Sequence, residues 1–96
     1  MSRSYYVYIL ANRGRPLYVG VTGHVFHRIA QHRAGIASKF TSRYAITRLA
    51  YIEVTARVID AIRREKKIKR WSRAKKIALI EANNRAYNDL SADWLE

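Results

Sequence analysis

Six side chains in this 96-residue chain combine reactive chemistry with positions on or beside apolar faces, and each has an ordinary structural explanation when taken alone. Glu65 lies three residues after Ile62 and three before Ile68, so helical geometry turns it toward the apolar side of its helix. A carboxylate turned inward must be ion-paired or bind a cation, because desolvating it alone costs too much. A structural salt bridge to one of the surrounding Lys and Arg residues satisfies that demand as well as a functional cation does. Arg28 and His32 form an i, i+4 pair beside the apolar stripe of an earlier helix, where a basic surface residue is the ordinary explanation. Asn84 falls on the stripe of Ile77 and Ile80, as a semi-buried amide that needs partners. Tyr8 and Tyr18 project from one face of a hairpin if its even positions pair with even positions, with Gly20 leaving room beside them. Together these groups offer a carboxylate, a guanidinium, an imidazole, an amide and two phenols. What they do together depends on whether the fold brings them to one place.

The elements that must do so are legible. Residues 5–10 and 17–22 are rich in Tyr, Val, Ile and Leu, and "ANRGRP" between them holds turn formers, which predicts a β-hairpin. "TGHVFHRIAQHRAG" predicts a helix with Val25, Phe26, Ile29 and Ala30 as its apolar stripe and Gly35 just past its end. His24 and His27 fall toward solvent. Residues 36–47 show no period and read as loop, and 48–54 as a third strand. A helix over about 56–70 is capped by Thr55, with Val58, Ala61, Ile62 and Ile68 on its buried side; Ser72 caps another over 73–83. In the tail, Tyr87, Leu90, Trp94 and Leu95 are available to pack back. The order β-β-α-β-α-α predicts a small α/β (α+β) domain with a mostly antiparallel three-stranded sheet flanked by helices.

Bulk composition narrows the partners. Nineteen Lys and Arg against seven Asp and Glu give a formal charge of +12, the electrostatic footprint of a nucleic-acid binder more than of a membrane-surface protein. The absence of cysteine excludes disulfides, Cys-bearing zinc sites and thiol nucleophiles. No apolar run approaches membrane-spanning length, and "MSRSYYVYIL" lacks a signal-peptide cleavage pattern, so a soluble, cytoplasmic protein is expected.

"YVY" at 6–8 and "YVG" at 18–20 resemble the paired signature for which the GIY-YIG nuclease domain is named, and the remaining elements follow in that family's order. Those elements are Arg28 in "HRIAQH", Glu65 in "RREKKIKRW" and Asn84 after "KIALIEAN". The resemblance runs from about residue 5 to 90 and is greatest to the small stand-alone bacterial branch, so the chain reads as a single domain over 1–96. Two departures stand out. Tyr6 replaces the first glycine of the family name, with Val7 and Val19 for its isoleucines; Arg85 stands where relatives often have proline, which leaves Asn83 as an alternative to Asn84.

The resemblance implies an endonuclease that hydrolyses phosphodiesters with one divalent ion, Mg²⁺ or Mn²⁺, held by Glu65. It implies that Tyr8 orients or deprotonates the attacking water, Arg28 binds the scissile phosphate, and Tyr18 and His32 position water and phosphate. Asn84 holds the site or contacts the substrate backbone. Thr22, Lys39 and Arg43 edge the cleft, and Arg63, Lys66, Lys67, Arg70 and Arg73 track phosphates. Trp71 reads as core more than as a stacking platform. DNA is favoured over RNA as partner, recognised by structure more than by sequence, since no sequence-reading module is present. Relatives act in DNA repair, recombination and mobile elements. A basic nucleic-acid-binding module of the same fold, non-catalytic or dependent on a protein partner, is the alternative.

Overall fold

Alternating small and large apolar residues in "YYVYIL" and "YVGVT" build an antiparallel pair, β1 (Tyr5–Leu10) and β2 (Tyr18–Thr22). The computed structural model describes residues 3–94. The hairpin turn closes with Arg15 N–H donating to the Asn12 carbonyl at 3.0 Å, and Gly14 takes φ 74° within it. A third strand, β3 (Leu49–Thr55), pairs antiparallel with β1 on its other side, giving the sheet order β2-β1-β3. The register is even with even: Tyr8 faces Gly20, and Leu10 faces Tyr18.

Four helices complete the chain: α1 (Val25–Arg33), α2 (Lys39–Arg43), α3 (Val58–Lys69) and α4 (Arg73–Asn83). The sheet has two buried faces. Val7, Ile9, Val19, Ala50 and Tyr51 pack with Ala61 and Ile68 of α3 and Ile80 of α4. On the other face, Tyr8 and Leu10 pack with Val25 and Ile29 of α1 and with Ile46 and Leu49. Among the described residues, no helix is long and apolar enough to cross a membrane.

Several details depart from expectation. The segment read as loop contains α2, whose five residues are too few to show a period. Its signal is the cap: Ser38 Oγ accepts from the N–H groups of Phe40 and Thr41. Thr55 remains in β3 and does not cap α3, whose N-cap is Arg57 with no side-chain hydrogen bond. Val58 at the first turn of α3 is 47% exposed, because the buried stripe begins only at Ala61. Phe26 is 59% exposed and rests on Trp94, with ring centroids 4.7 Å apart. Tyr87 is buried in the tail, whereas Leu90 is 39% exposed and anchors through its N–H to the Leu49 carbonyl; Leu95 lies outside the described residues. Ser72 does cap α4, accepting from Lys75 N–H, and Gly35 after α1 has φ 76°.

Candidate active site

Tyr8 occupies the middle of the central strand, and its side chain is fully buried. The ring leans across its ladder neighbour: a Cβ at position 20 would overlap the phenol end of Tyr8. The space at Gly20 is therefore filled by the Tyr8 ring and not left open for an approaching group. This close approach is what glycine supplies in "YVG".

Around the phenol stand three side chains that the sequence singled out. Tyr18, from the outer strand, has its ring centroid 6.3 Å from that of Tyr8 and 5.2 Å from that of His32. His32, one turn beyond Arg28 on α1, is 1% exposed, and its Nε2 lies 2.9 Å from the Tyr8 hydroxyl. Its Nδ1 lies 3.0 Å from Thr41 Oγ1 on α2. Arg28 is half-buried and close enough for its charge to act on both Tyr8 and His32.

Electrostatics at this cluster are strongly perturbed. Burial pushes the Tyr8 phenol well above its ordinary pKa, and Tyr18 adds to the rise. The Arg28 charge opposes it, while the Glu65 carboxylate raises it further. Burial, and then the Arg28 charge, lower His32 to about 4, so its ring is neutral at neutral pH. A proton consequently stays on Tyr8 and off His32 unless a further cation arrives near the phenol.

Glu65 reaches this cluster from α3, which packs on the opposite face of the sheet from α1. Its side chain is 12% exposed and pairs with Lys69 Nζ at 2.8 Å, so the inward carboxylate does have the salt bridge that packing alone would predict. That partner is itself 53% exposed, on a flexible stem one turn along the same helix. Among the described residues, no group of three or more His, Asp or Glu side chains is placed to hold a metal. A single carboxylate with a displaceable partner nevertheless suits a hard cation that keeps most of its waters.

The other expected residues fall into four groups. Lys39 and Arg43 are exposed at the two ends of α2, on a helix and not a loop; helical rotation turns them away from buried Thr41, and they line a separate hollow with Gly35, Ile36 and Ser42. Thr22, at the end of β2, accepts from the His24 N–H at 3.0 Å and fixes the entry into α1. Arg63, Lys66, Lys67 and Arg70 line a groove of about 450 Å³ beside Trp71. With about 100° of rotation per helical residue, that row faces away from the direction of Glu65. Trp71 packs against the α3-side core, flanked by Lys75 at 4.3 Å and Arg64 at 5.3 Å from its ring centre. Arg73 donates to the Arg15 carbonyl at the hairpin turn.

Asn84 is 7% exposed, and its amide is occupied by the backbone. Nδ2 donates to the carbonyls of Ala50 and Asn88, and Oδ1 accepts from Asn88 N–H. None of these bonds goes to the phenol cluster; they fasten β3 to the segment after α4. The neighbouring Asn83 is exposed and donates to the Leu79 carbonyl. Three contributors escaped the sequence reading: Thr41, Ser38 and Phe40, whose ring lies 6.3 Å from that of Tyr18. Only the Ser38 cap in "SKFTSR" signalled them in advance.

Comparison with known proteins follows the same outline. Residues 4–78 match the family described as "GIY-YIG catalytic domain". A UPF0213 protein of Staphylococcus haemolyticus is 40% identical over 77 residues, covering 80% of this chain and 94% of that one. A UPF0213 protein of Natronomonas pharaonis is 38% identical over 80 residues, covering 83% and 94%. The solution NMR structure of a UPF0213 protein from Bacillus halodurans superimposes with a TM-score of 0.58 at 30% identity, over 94% of this chain and 97% of that one.

Proposed function

Because this chain belongs to the GIY-YIG family, a family whose domain implies a nuclease fold and a nucleic-acid substrate, we propose that it is a divalent-metal-dependent endonuclease. Its substrate is DNA in preference to RNA, recognised by structure more than by sequence, and its place of action is the cytoplasm. The nuclease domain is taken to span 1–96, with its core over about 5–90. The observation that carries the reading is a buried phenol on the central strand that feels the charges of both a guanidinium and a carboxylate whose ion-pair partner is an exposed lysine.

Each group then has a task. Glu65 would hold one Mg²⁺ or Mn²⁺ by displacing Lys69. The ion would supply positive charge for the phosphate oxygens and help to acidify nearby hydroxyls. Arg28 binds the scissile phosphate and offsets charge that grows in the transition state. Tyr8 orients the attacking water and accepts its proton only as far as Arg28 and substrate-bound cations lower the phenol. Tyr18 and His32 position water and phosphate. Asn84 keeps β3 in register with the helices. Lys39 and Arg43 contact substrate phosphates at the cleft, and Arg63, Lys66, Lys67 and Arg70 do so from the outer face of α3.

Incubation with single-stranded, duplex, flapped and branched DNA in Mg²⁺ or Mn²⁺ tests this. The expected result is metal-dependent cutting that Glu65→Ala and Arg28→Ala each reduce by about 10²- to 10³-fold, the scale of losing one preorganised electrostatic group. Tight, salt-sensitive binding without cutting on every substrate would replace the enzyme with a binding module of the same fold.

A further inference from the structure

The Tyr8 phenol is the end of a hydrogen-bonded chain that runs through His32 to the cap of α2. Counting hydrogens fixes its direction. The Thr41 hydroxyl has one hydrogen, and it donates to the Ser38 carbonyl at 3.3 Å. The Thr41 oxygen is then left to accept, so His32 Nδ1 carries the hydrogen across the 3.0 Å contact. A neutral imidazole has a single N–H, which leaves Nε2 bare to accept the Tyr8 O–H at 2.9 Å.

We propose that Thr41 is a positioning residue: it locks His32 in the Nδ1–H tautomer, so that the Tyr8 O–H points at His32 Nε2 as a hydrogen-bond donor and no imidazole N–H occupies the phenol oxygen that faces the reacting water. The reverse chain would make a different site. If Thr41 donated to Nδ1, Nε2–H would donate to Tyr8, occupy one of its lone pairs and turn its O–H outward. Tyr8 would then face a water as a donor, the wrong sense for a group that must receive a proton. The arrangement also explains why Ser38 both caps α2 and accepts from Thr41, since the cap fixes where the Thr41 hydroxyl can point. The value of the lock for catalysis rests on Tyr8 acting as proposed above; the lock itself does not.

Ring-nitrogen NMR of the ¹⁵N-labelled full chain at neutral pH, read beside single-turnover cleavage, separates the two. The expected spectrum shows His32 Nδ1 protonated and Nε2 bare. Thr41→Val, which keeps the shape and removes the hydroxyl, exchanges the two assignments, and Thr41→Ser keeps them. Cleavage by Thr41→Val falls about tenfold in kcat with KM within about twofold, the scale of one lost hydrogen bond, and Thr41→Ser restores it. A wild-type His32 protonated on Nε2 overturns the proposal, as does a Thr41→Val variant with unchanged ring shifts or with full kcat despite switched shifts. If Thr41→Val does not fold, the wild-type and Thr41→Ser spectra decide. Expected ring shifts in a wild-type protein that cuts nothing would uphold the lock and remove the nuclease reading.

Discussion

Glu53 and Glu65 are both partly buried carboxylates facing a cation, but their surroundings differ in kind. Glu53, on the α3-side face of the sheet, receives Arg64 Nε at 2.7 Å and Arg64 Nη2 at 3.3 Å, and the Tyr51 hydroxyl donates to it as well. Trp71 extends that cluster beneath Arg64. Its polar atoms are saturated by rigid, planar partners, which is how a structural ion pair is built. Glu65 is the more buried of the two, 12% exposed against 28%, yet it holds one lysine that is itself 53% exposed. The tyrosines do not repeat the contrast: burial raises both Tyr51 and Tyr8, and a neighbouring arginine, Arg64 or Arg28, opposes the rise in each. A carboxylate buried more deeply and bonded less well is kept for something other than stability.

The largest expected effect separates the two carboxylates directly. Glu65→Ala reduces cleavage by about 10²- to 10³-fold while changing stability by less than about 0.5 kcal/mol, because its i, i+4 partner Lys69 is half exposed and is solvated once the carboxylate is gone. Glu53→Ala does the reverse: per folded molecule it cuts normally, and urea melts show a loss of about 2 kcal/mol as Arg64 is left unpaired. Equal stability losses in the two variants would erase the contrast. Gly20→Ala tests the seat of the Tyr8 ring from the backbone. The added methyl collides with the Tyr8 ring and costs about 1–3 kcal/mol, with cleavage falling alongside, measured by melts and by turnover.

Acidification sharpens the comparison further. The folded pKa of His32 is depressed to about 4 from 6.5, so its burial contributes stability above about 6.5 that is lost as pH falls toward 4. The loss is on the order of 2 kcal/mol, read as a pH-dependent difference between wild type and His32→Gln in urea titrations. The smallest effect belongs to Lys69→Met, which changes stability by about 0.3 kcal/mol and leaves Glu65 freer to take a cation, so Mn²⁺ titration reads tighter binding than in wild type.

Much of this was legible beforehand because it depends on periodicity. The inward turn of Glu65 follows from the 3.6-residue period, and the shared face of Tyr8 and Tyr18 follows from the two-residue period once the strands pair even with even, a register that periodicity leaves open and the fold supplies. What periodicity lacks is information about short or end segments. Helix α2 is too brief to show a stripe, so Thr41 and its bond to His32 were invisible. Val58 and Phe26 match apolar stripes by spacing, but they sit in the first turns of their helices, where the core has not yet closed over them. Asn84 fits the stripe as expected, yet only its hydrogen bonds distinguish a fastener from a substrate contact. The basic row of α3 reads as one phosphate-tracking surface along the sequence, and helical rotation turns it away from Glu65.

Mg²⁺-dependent cleavage of branched and duplex DNA by wild type, Glu65→Gln and Glu53→Gln, normalised to folded protein, tests the central claim most directly. Wild type and Glu53→Gln are expected to cut, and Glu65→Gln to give no cutting above background. Cutting by Glu65→Gln at the wild-type rate would contradict it.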